Sequence, residues 1–139
     1  MTFLVSTTEH DILALGHGIS SVLPEKYGVD ILISTPQGLH GIQRKQFPED
    51  FFASLRDGRL ARELSMMHYL EWGMLVVEGR PKFGPDGHLL SEGNSKWTLR
   101  SLRNLLRSVR TQHWIDVEWS ESLEDTISIA YELEEYLKH

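Results

Sequence analysis

The run Val29-Asp30-Ile31-Leu32-Ile33 is β-branched and apolar with a single acid inside it, and Pro36, Gly38 and Gly41 follow as the residues of a turn. A second strand, Leu39 to Arg44, is thereby expected to pair back on the first as a hairpin. The segments around this hairpin alternate in type. Phe3-Leu4-Val5 reads as a short strand, and Ser6-Thr7-Thr8 leads into an acidic first turn at Glu9 and Asp11. The helix so begun is expected to reach about Leu23, loosened by Gly16 and Gly18 and stopped by Pro24. Pro48, Glu49 and Asp50 open a second helical stretch, with proline in the first turn and acids toward the positive end of the dipole. Apolar residues at helical spacing carry it to about Trp72, and Asp57-Gly58 divides it into two helices. Met74 to Glu78 reads as a buried strand, and Gly84-Pro85-Asp86-Gly87 as a tight turn closing a hairpin with His88-Leu89-Leu90. Lys96 to Arg110 is expected to be a helix and Trp114 to Trp119 a strand. A last helix, Ser122 to Leu137, has Ser122 as N-cap with Asp125 three residues on. A hairpin embedded among crossovers predicts an α/β fold with a mixed sheet.

Composition narrows the function. The 139 residues are one domain's worth, 40% hydrophobic and 24% charged, as in a folded globular chain. Without cysteine there is no disulfide, thiolate zinc site, iron–sulfur cluster or thiol nucleophile. No apolar run approaches the roughly 20 residues that span a bilayer, so no membrane partner and a cytoplasmic location are expected. The seven histidines lack paired spacing, which argues against zinc. The net charge of −6 is unevenly distributed: −4 over residues 1–94, +5 over 95–113 and −7 over 114–139. A basic segment beside an acidic one keeps nucleic acid open as a partner.

An acid in an apolar strand is costly unless paired or metal-bound. Asp30 is followed, 13 residues on and across the hairpin, by Gln43-Arg44-Lys45. An acid on one strand and an acceptor-x-Lys on the next suits metal-dependent phosphodiester cleavage. Oxygen ligands hold a hard cation, and the lysine shares the acceptor's strand face. The bland alternative pairs Asp30 with Arg44 across the hairpin.

The surroundings carry more information. Gly41-Ile42-Gln43-Arg44-Lys45 precedes Asp50-Phe51-Phe52-Ala53-Ser54-Leu55-Arg56-Asp57-Gly58-Arg59-Leu60, then Glu63, then Leu75-Val76-Val77-Glu78-Gly79, and later Ser122-Leu123-Glu124-Asp125-Thr126. This order resembles the XPF-type nuclease domain, a branch of the PD-(D/E)XK restriction-endonuclease-like superfamily, over nearly the whole chain. The resemblance implies a central mixed sheet flanked by helices. It also implies a nuclease domain acting on DNA with Mg²⁺ or Mn²⁺. Family members commonly append a helix–hairpin–helix module; with His139 falling just after the last nuclease-domain helix, a single domain over residues 1–139 without that module is expected. A homodimer or partner subunit follows from the resemblance too. The apolar Ile127, Ile129, Ala130, Leu133 and Leu137 of the last helix leave room for such an interface.

Matched to the family pattern, Asp30 stands for its metal-binding Asp, Arg44 and Lys45 for its R-K, and Asp50 (or Glu49) for its following Asp. Glu9 keeps the Glu of V-D-x-R-E, whereas Ser6 replaces the Asp of that motif and Gln43 replaces the central Glu of E-R-K. Gln offers a carbonyl oxygen but no charge. The site residues expected are therefore Asp30, Gln43, Arg44, Lys45 and Glu9. Among them Asp30, Gln43 and Glu9 hold metal, Lys45 stabilises charge or orients water, and Arg44 positions the phosphate. Asp50 and Glu63 stand as supporting acids. The alternative is a non-catalytic DNA-binding or scaffold subunit with a degenerate site.

The basic segment gives a separate expectation. Arg100, Arg103, Arg107 and Arg110 recur along one helical face, with Leu99, Leu102, Leu106 and Val109 on the adjoining one. With Arg59, these arginines are the candidate DNA contacts, since guanidinium pairs bidentately with phosphate. The reading as a whole is a structure-selective endonuclease of DNA repair, recombination or replication, in the cytoplasm of a bacterium or phage-infected cell.

Overall fold

A computed structural model describes residues 3–90 and 96–138. Six strands form one mixed sheet: β1 (Leu4–Ser6), β2 (Ile19–Ser21), β3 (Ile31–Thr35), β4 (Gly38–Gln46), β5 (Trp72–Glu78) and β6 (Asp116–Ser120), in the order β2-β1-β3-β4-β5-β6. The expected hairpin is present, with β3 antiparallel to β4 and Ile31 opposite Ile42. β1 is antiparallel to β3, whereas β4, β5 and β6 run parallel. Six helices flank the sheet: α1 (His10–Ala14), α2 (Leu23–Lys26), α3 (Glu49–Arg56), α4 (Arg59–Met66), α5 (Leu99–His113) and α6 (Leu123–Leu137). A short 3-10 turn, Met67–Tyr69, follows α4. None of these helices is long and apolar enough to cross a membrane.

The pleat of the strands builds two cores. Leu32, Leu75 and Val77 point to one face, where Phe51 and Phe52 of α3, Leu60 and Leu64 of α4, and Leu102, Leu106 and Val109 of α5 cover them. Ile31, Ile33, Ile42 and Val76 point to the other, against Ile12 of α1 and Ile127, Ala130 and Leu133 of α6. Ile127, Ile129, Ala130 and Leu133, expected to leave room for a dimer contact, are thus buried within their own chain. Leu137 packs against the same cluster.

The main departure from the sequence reading lies between residues 9 and 26. The helix expected to reach Leu23 ends at Ala14. Gly16 and Gly18 both have positive φ, 82° and 76°, and a Cβ on Gly18 would lie 2.3 Å from Val5 Cγ2. This close approach turns the chain alongside β1, where Ile19–Ser21 adds a parallel edge strand. Pro24 then sits in the first turn of α2 instead of stopping a helix. Smaller shifts occur elsewhere. α5 begins at Leu99 after a Thr98–Ser101 capping box, three residues beyond the expected Lys96, and runs on to His113. β6 begins at Asp116 because Trp114 caps α5 in the left-handed conformation, φ 56°. The turn at 84–87 closes on isolated bridges, Phe83 to Leu89 and His88 to Thr98, and not on a full strand.

Two local expectations are met in detail. The Asp57-Gly58 break separates α3 from α4, with the Arg59 N–H donating to Asp57 Oδ1 at 2.9 Å. Ser122 caps α6 by accepting from the Asp125 N–H at 3.1 Å. The Asp125 carboxylate reaches back to the Glu121 N–H, 2.8 Å, one residue earlier than a capping box places it.

Candidate active site

β4 lies between β3 and β5, so its side chains are buried on both faces, including Gln43, Arg44 and Lys45. Buried charges need partners, and the period of two sends consecutive residues to different ones. Gln43 and Lys45 lie in register with Leu75 and Val77, on the face covered by α3 and α4. Arg44 lies in register with Val76, on the face of α1 and α6. The three motif residues therefore serve two separate sites.

On the α3/α4 face, Asp30 is held by its backbone between two strands. Its N–H donates to Ile42 O and its carbonyl accepts from the Ser6 N–H, both 2.8 Å. The register places it across from Gln43, and its Oδ2 accepts the Arg44 backbone N–H at 2.7 Å. The pairing of Asp30 with Arg44 thus runs through the main chain and not the guanidinium. Lys45 Nζ meets Glu63 Oε1 of α4 at 2.8 Å. Gln43 is 1% exposed, and its Oε1 has no hydrogen-bond partner. Burial, reinforced by the negative charge of Glu9, pushes the Asp30 carboxyl up to about 8 against the pull of the Arg44 N–H and Lys45. Glu9 is raised as well, by burial, although Arg44 attracts it. Asp50 contributes to that rise, while its Oδ2 accepts the Gln46 N–H at 3.2 Å.

The turn that delivers Asp30 rests directly on α4. Gly28 has φ +72°, and a Cβ there would lie 2.4 Å from the Glu63 carbonyl oxygen. No side chain fits, so the backbone of the α2–β3 turn sits against α4. Beside it opens a cavity of about 300 Å³ lined by Ser6, Thr8, Glu25, Asp30, Arg62 and Glu63. Ser6, which stands where an Asp was expected, donates to Glu25 Oε1 at 2.9 Å. Glu25 was not among the expected site residues, and only the folding of α2 against β1 brings it there.

On the opposite face Arg44 is enclosed by carboxylates. Nε and Nη2 donate to the two oxygens of Glu78 at 2.9 and 2.8 Å, and Nη1 and Nη2 to Asp11 at 3.1 and 2.9 Å. A longer contact, 3.4 Å, runs from Nη1 to Glu9. Thr126 Oγ1 donates to Glu78 Oε1 at 2.6 Å, and Ser120 Oγ lies 2.7 Å from Thr126 Oγ1. Glu78, the last residue of β5, is a buried member of this cluster. The guanidinium expected to position a phosphate is engaged here with protein carboxylates. The alternation Gln43-Arg44-Lys45 carried that signal, since the middle residue of three on a strand faces away from the other two.

A family comparison matches residues 7–133 to the ERCC4 domain. The chain belongs to the ERCC4 domain family. Its fold is that of XPF from Aeropyrum pernix, solved alone and in complex with DNA. The two structures give TM-scores of 0.71 and 0.68 at 24% and 22% identity, and cover 96% and 97% of this chain. The chain accounts for 65% and 64% of those structures, just under two thirds of their length. Among curated proteins, none matches it in sequence.

Within this ERCC4 domain, no three His, Asp or Glu side chains among the described residues stand close enough together to hold a metal ion. The oxygen donors on the α3/α4 face are of mixed type: the Asp30 carboxylate, the partnerless Gln43 carbonyl, and Glu63 and Glu9 whose charges both act on Asp30. An all-oxygen set with one orphaned buried carbonyl fits a hard divalent cation in kind.

The basic helix lies elsewhere on the domain. β6, beside which α5 packs, is three strand spacings from β3, about 14 Å. Between α5, β6 and the start of α6 runs a groove of about 880 Å³, bordered by Arg80, Arg103, Arg107 and Arg110 and, on its other side, by Glu121 and Asp125, and floored by Leu102 and Leu106; Arg80 pairs with Glu121. Arg103, Arg107 and Arg110 are exposed, as is Arg100, which stands outside the groove. Arg107 Nη1 donates to Asn104 Oδ1 at 2.8 Å, and Arg110 Nη2 to the Val117 carbonyl at 3.2 Å. Arg59 pairs with Asp57, Nε to Oδ2 at 2.7 Å, and so braces the α3–α4 corner.

Proposed function

We propose that this ERCC4 domain is a divalent-metal-dependent DNA endonuclease, selective for DNA structure and acting in repair, recombination or replication. The observation that carries the reading is the constellation on one sheet face: Asp30, the orphaned Gln43 carbonyl, and a buried Lys45 that pairs with Glu63. A buried lysine and a buried acid side by side are costly, and a domain with no chemistry to perform would do better with apolar residues there. Asp30 and Gln43, with Glu9 or Glu63 beside them, would hold Mg²⁺ or Mn²⁺. When bound, such a cation supplies Lewis acidity, neutralising phosphate charge and making water more acidic. Lys45 adds a fixed positive charge for the phosphorane as it forms. Arg44 acts indirectly, because its backbone N–H orients Asp30 while its guanidinium ties α1 to β5.

Labelled duplex, flap, fork and single-stranded DNA, incubated with Mg²⁺ or Mn²⁺ and with EDTA as control, test this. The wild type is expected to cut in a metal-dependent way. Asp30→Ala is expected to abolish cutting, and Lys45→Ala to slow it by roughly 10²–10³, the range for one preorganised charge-stabilising group. The second reading, a DNA-binding scaffold, is favoured by one observation, the neutral Gln43. It would be established by a wild type that binds but does not cut, with Gln43→Glu creating activity.

DNA binding itself is proposed for the arginine-bordered groove. Arg103→Ala with Arg107→Ala is expected to reduce the slope of log affinity against log salt by roughly 1.8, as for two released phosphate contacts. A slope unchanged by both substitutions would move the DNA to another surface.

A further inference from the structure

We propose that Glu63 of α4 supplies the carboxylate that β4 lacks at Gln43, so that the second acidic cation ligand of the site comes from a helix and not from the strand. This rests on the metal-dependent reading above and goes beyond it in naming the source of the missing charge.

The site's geometry carries the proposal. Asp30 alone is a poor cage for a divalent cation, which gains affinity with each added carboxylate. Gln43, across from Asp30 and two residues from Lys45 on the same face, contributes a buried carbonyl oxygen without a partner and no charge. Two acids in the site act on Asp30. Glu9 is drawn toward Arg44 at 3.4 Å, and Arg44 belongs to the opposite face of the sheet. Glu63 stands over the Asp30 face and lines the same cavity as Asp30. It is 27% exposed, and so can turn, and it pairs with Lys45 at 2.8 Å. Its backbone is fixed at the right height because the Gly28 turn, which carries Asp30 two residues later, packs on the Glu63 carbonyl. Without a cation, Lys45 neutralises Glu63. With one bound, Glu63 would serve the cation instead, and the Lys45 ammonium would be free to face a phosphate. The ion pair thus holds both groups in place until the site is filled.

The experiment moves the carboxylate back to the strand. Mn²⁺ binding is measured by calorimetry on the full chain for wild type, Glu63→Gln, and the exchanged pair Gln43→Glu with Glu63→Gln, each checked for folding by circular dichroism. Metal-dependent cutting is measured in parallel. Glu63→Gln is expected to weaken Mn²⁺ binding roughly tenfold or more and to abolish cutting. The exchanged pair is expected to bring both back. A Glu63 that only braces Lys45 would leave Mn²⁺ affinity unchanged on substitution, and that result overturns the proposal. So does a folded exchanged pair that fails to regain Mn²⁺ binding. A measurement on the unmutated chain needs no variant to fold: on Mg²⁺ titration the Glu63 carboxyl carbon resonance is expected to shift with the same midpoint as that of Asp30. A Glu63 resonance that stays still while Asp30 moves overturns the proposal and leaves the nuclease reading standing. A wild type that binds neither ion removes both.

Discussion

Arg44→Ala is expected to destabilise the domain by about 3–5 kcal/mol, the cost of removing one partner from a buried ion pair. The melting temperature should fall by roughly 10 °C or more. The guanidinium is 5% exposed and is the common partner of Glu78, Asp11 and Glu9. Its removal leaves the Glu78 carboxylate, 9% exposed, with the Thr126 hydroxyl but no charge to oppose it. Burial works against the charged form of Arg44, yet the hydrogen bonds to Glu78 and Asp11 outweigh it and raise its affinity for the proton. The same contacts hold Asp11 below its usual range despite the opposing effect of burial. Arg44→Lys should recover little, because an ammonium cannot reproduce two bidentate contacts at once. Adding Glu78→Gln to Arg44→Ala should restore part of the loss by removing the stranded charge. Urea denaturation of the four proteins in a double-mutant cycle gives the coupling. A loss below about 1 kcal/mol for Arg44→Ala would mean that water, and not the guanidinium, satisfies Glu78.

Asp30→Asn is expected to stabilise the domain while destroying its capacity for a cation, a trade typical of functional carboxylates. The sign follows from proton binding. Well below pH 3.8 the carboxyl is protonated in folded and unfolded chains alike, and the substitution changes little. Between its ordinary value of 3.8 and its folded value of about 8, the unfolded chain releases a proton that the folded chain retains. Stability therefore falls as pH rises through this window, and the penalty is complete near pH 8. At 1.36 kcal/mol per pH unit the ceiling is about 6 kcal/mol, and a gain on the order of a few kcal/mol at pH 8 is the expected result for Asn. Asn keeps an oxygen to accept the Arg44 N–H, so the backbone contact survives. Glu9, raised in the same direction, leaves a residual slope of the same sign. Denaturation at pH 4.5, 6.5 and 8.5 decides the matter. Wild-type and Asn curves that stay parallel over that range would show that Asp30 ionises freely in the folded chain. For the wild type, a cation must displace the same proton, so Mn²⁺ affinity should rise with pH until about pH 8.

The two predictions concern neighbouring residues with opposite burdens. Arg44 is a stabilising contact that ties α1 to β5. Asp30 is a destabilising one, held in place by the strands around it. That a buried main-chain ladder positions the acid explains how the site tolerates it: Asp30 is fixed by backbone bonds to β1 and β4 that do not depend on its charge.

What the chain's sequence determined by itself is whatever depends on near neighbours. The Asp57-Gly58 corner, the Ser122 cap and the 36–38 turn are decided within a few residues by φ preferences and short hydrogen bonds. Once the turn is set, the hairpin register follows, and with it the placement of Asp30 across from Gln43 and two residues from Lys45. Tertiary structure decided the rest. A three-residue edge strand such as β2 has no periodicity to read, and it forms because Gly18 can lie against Val5. Which acids close around Arg44, and which one faces Lys45, depends on how α1, α4 and α6 pack on the sheet. Those contacts join residues 18 to 48 positions apart. Charge attraction is nondirectional and falls off gradually, so composition names the candidate acids, and only the packing of apolar faces selects among them.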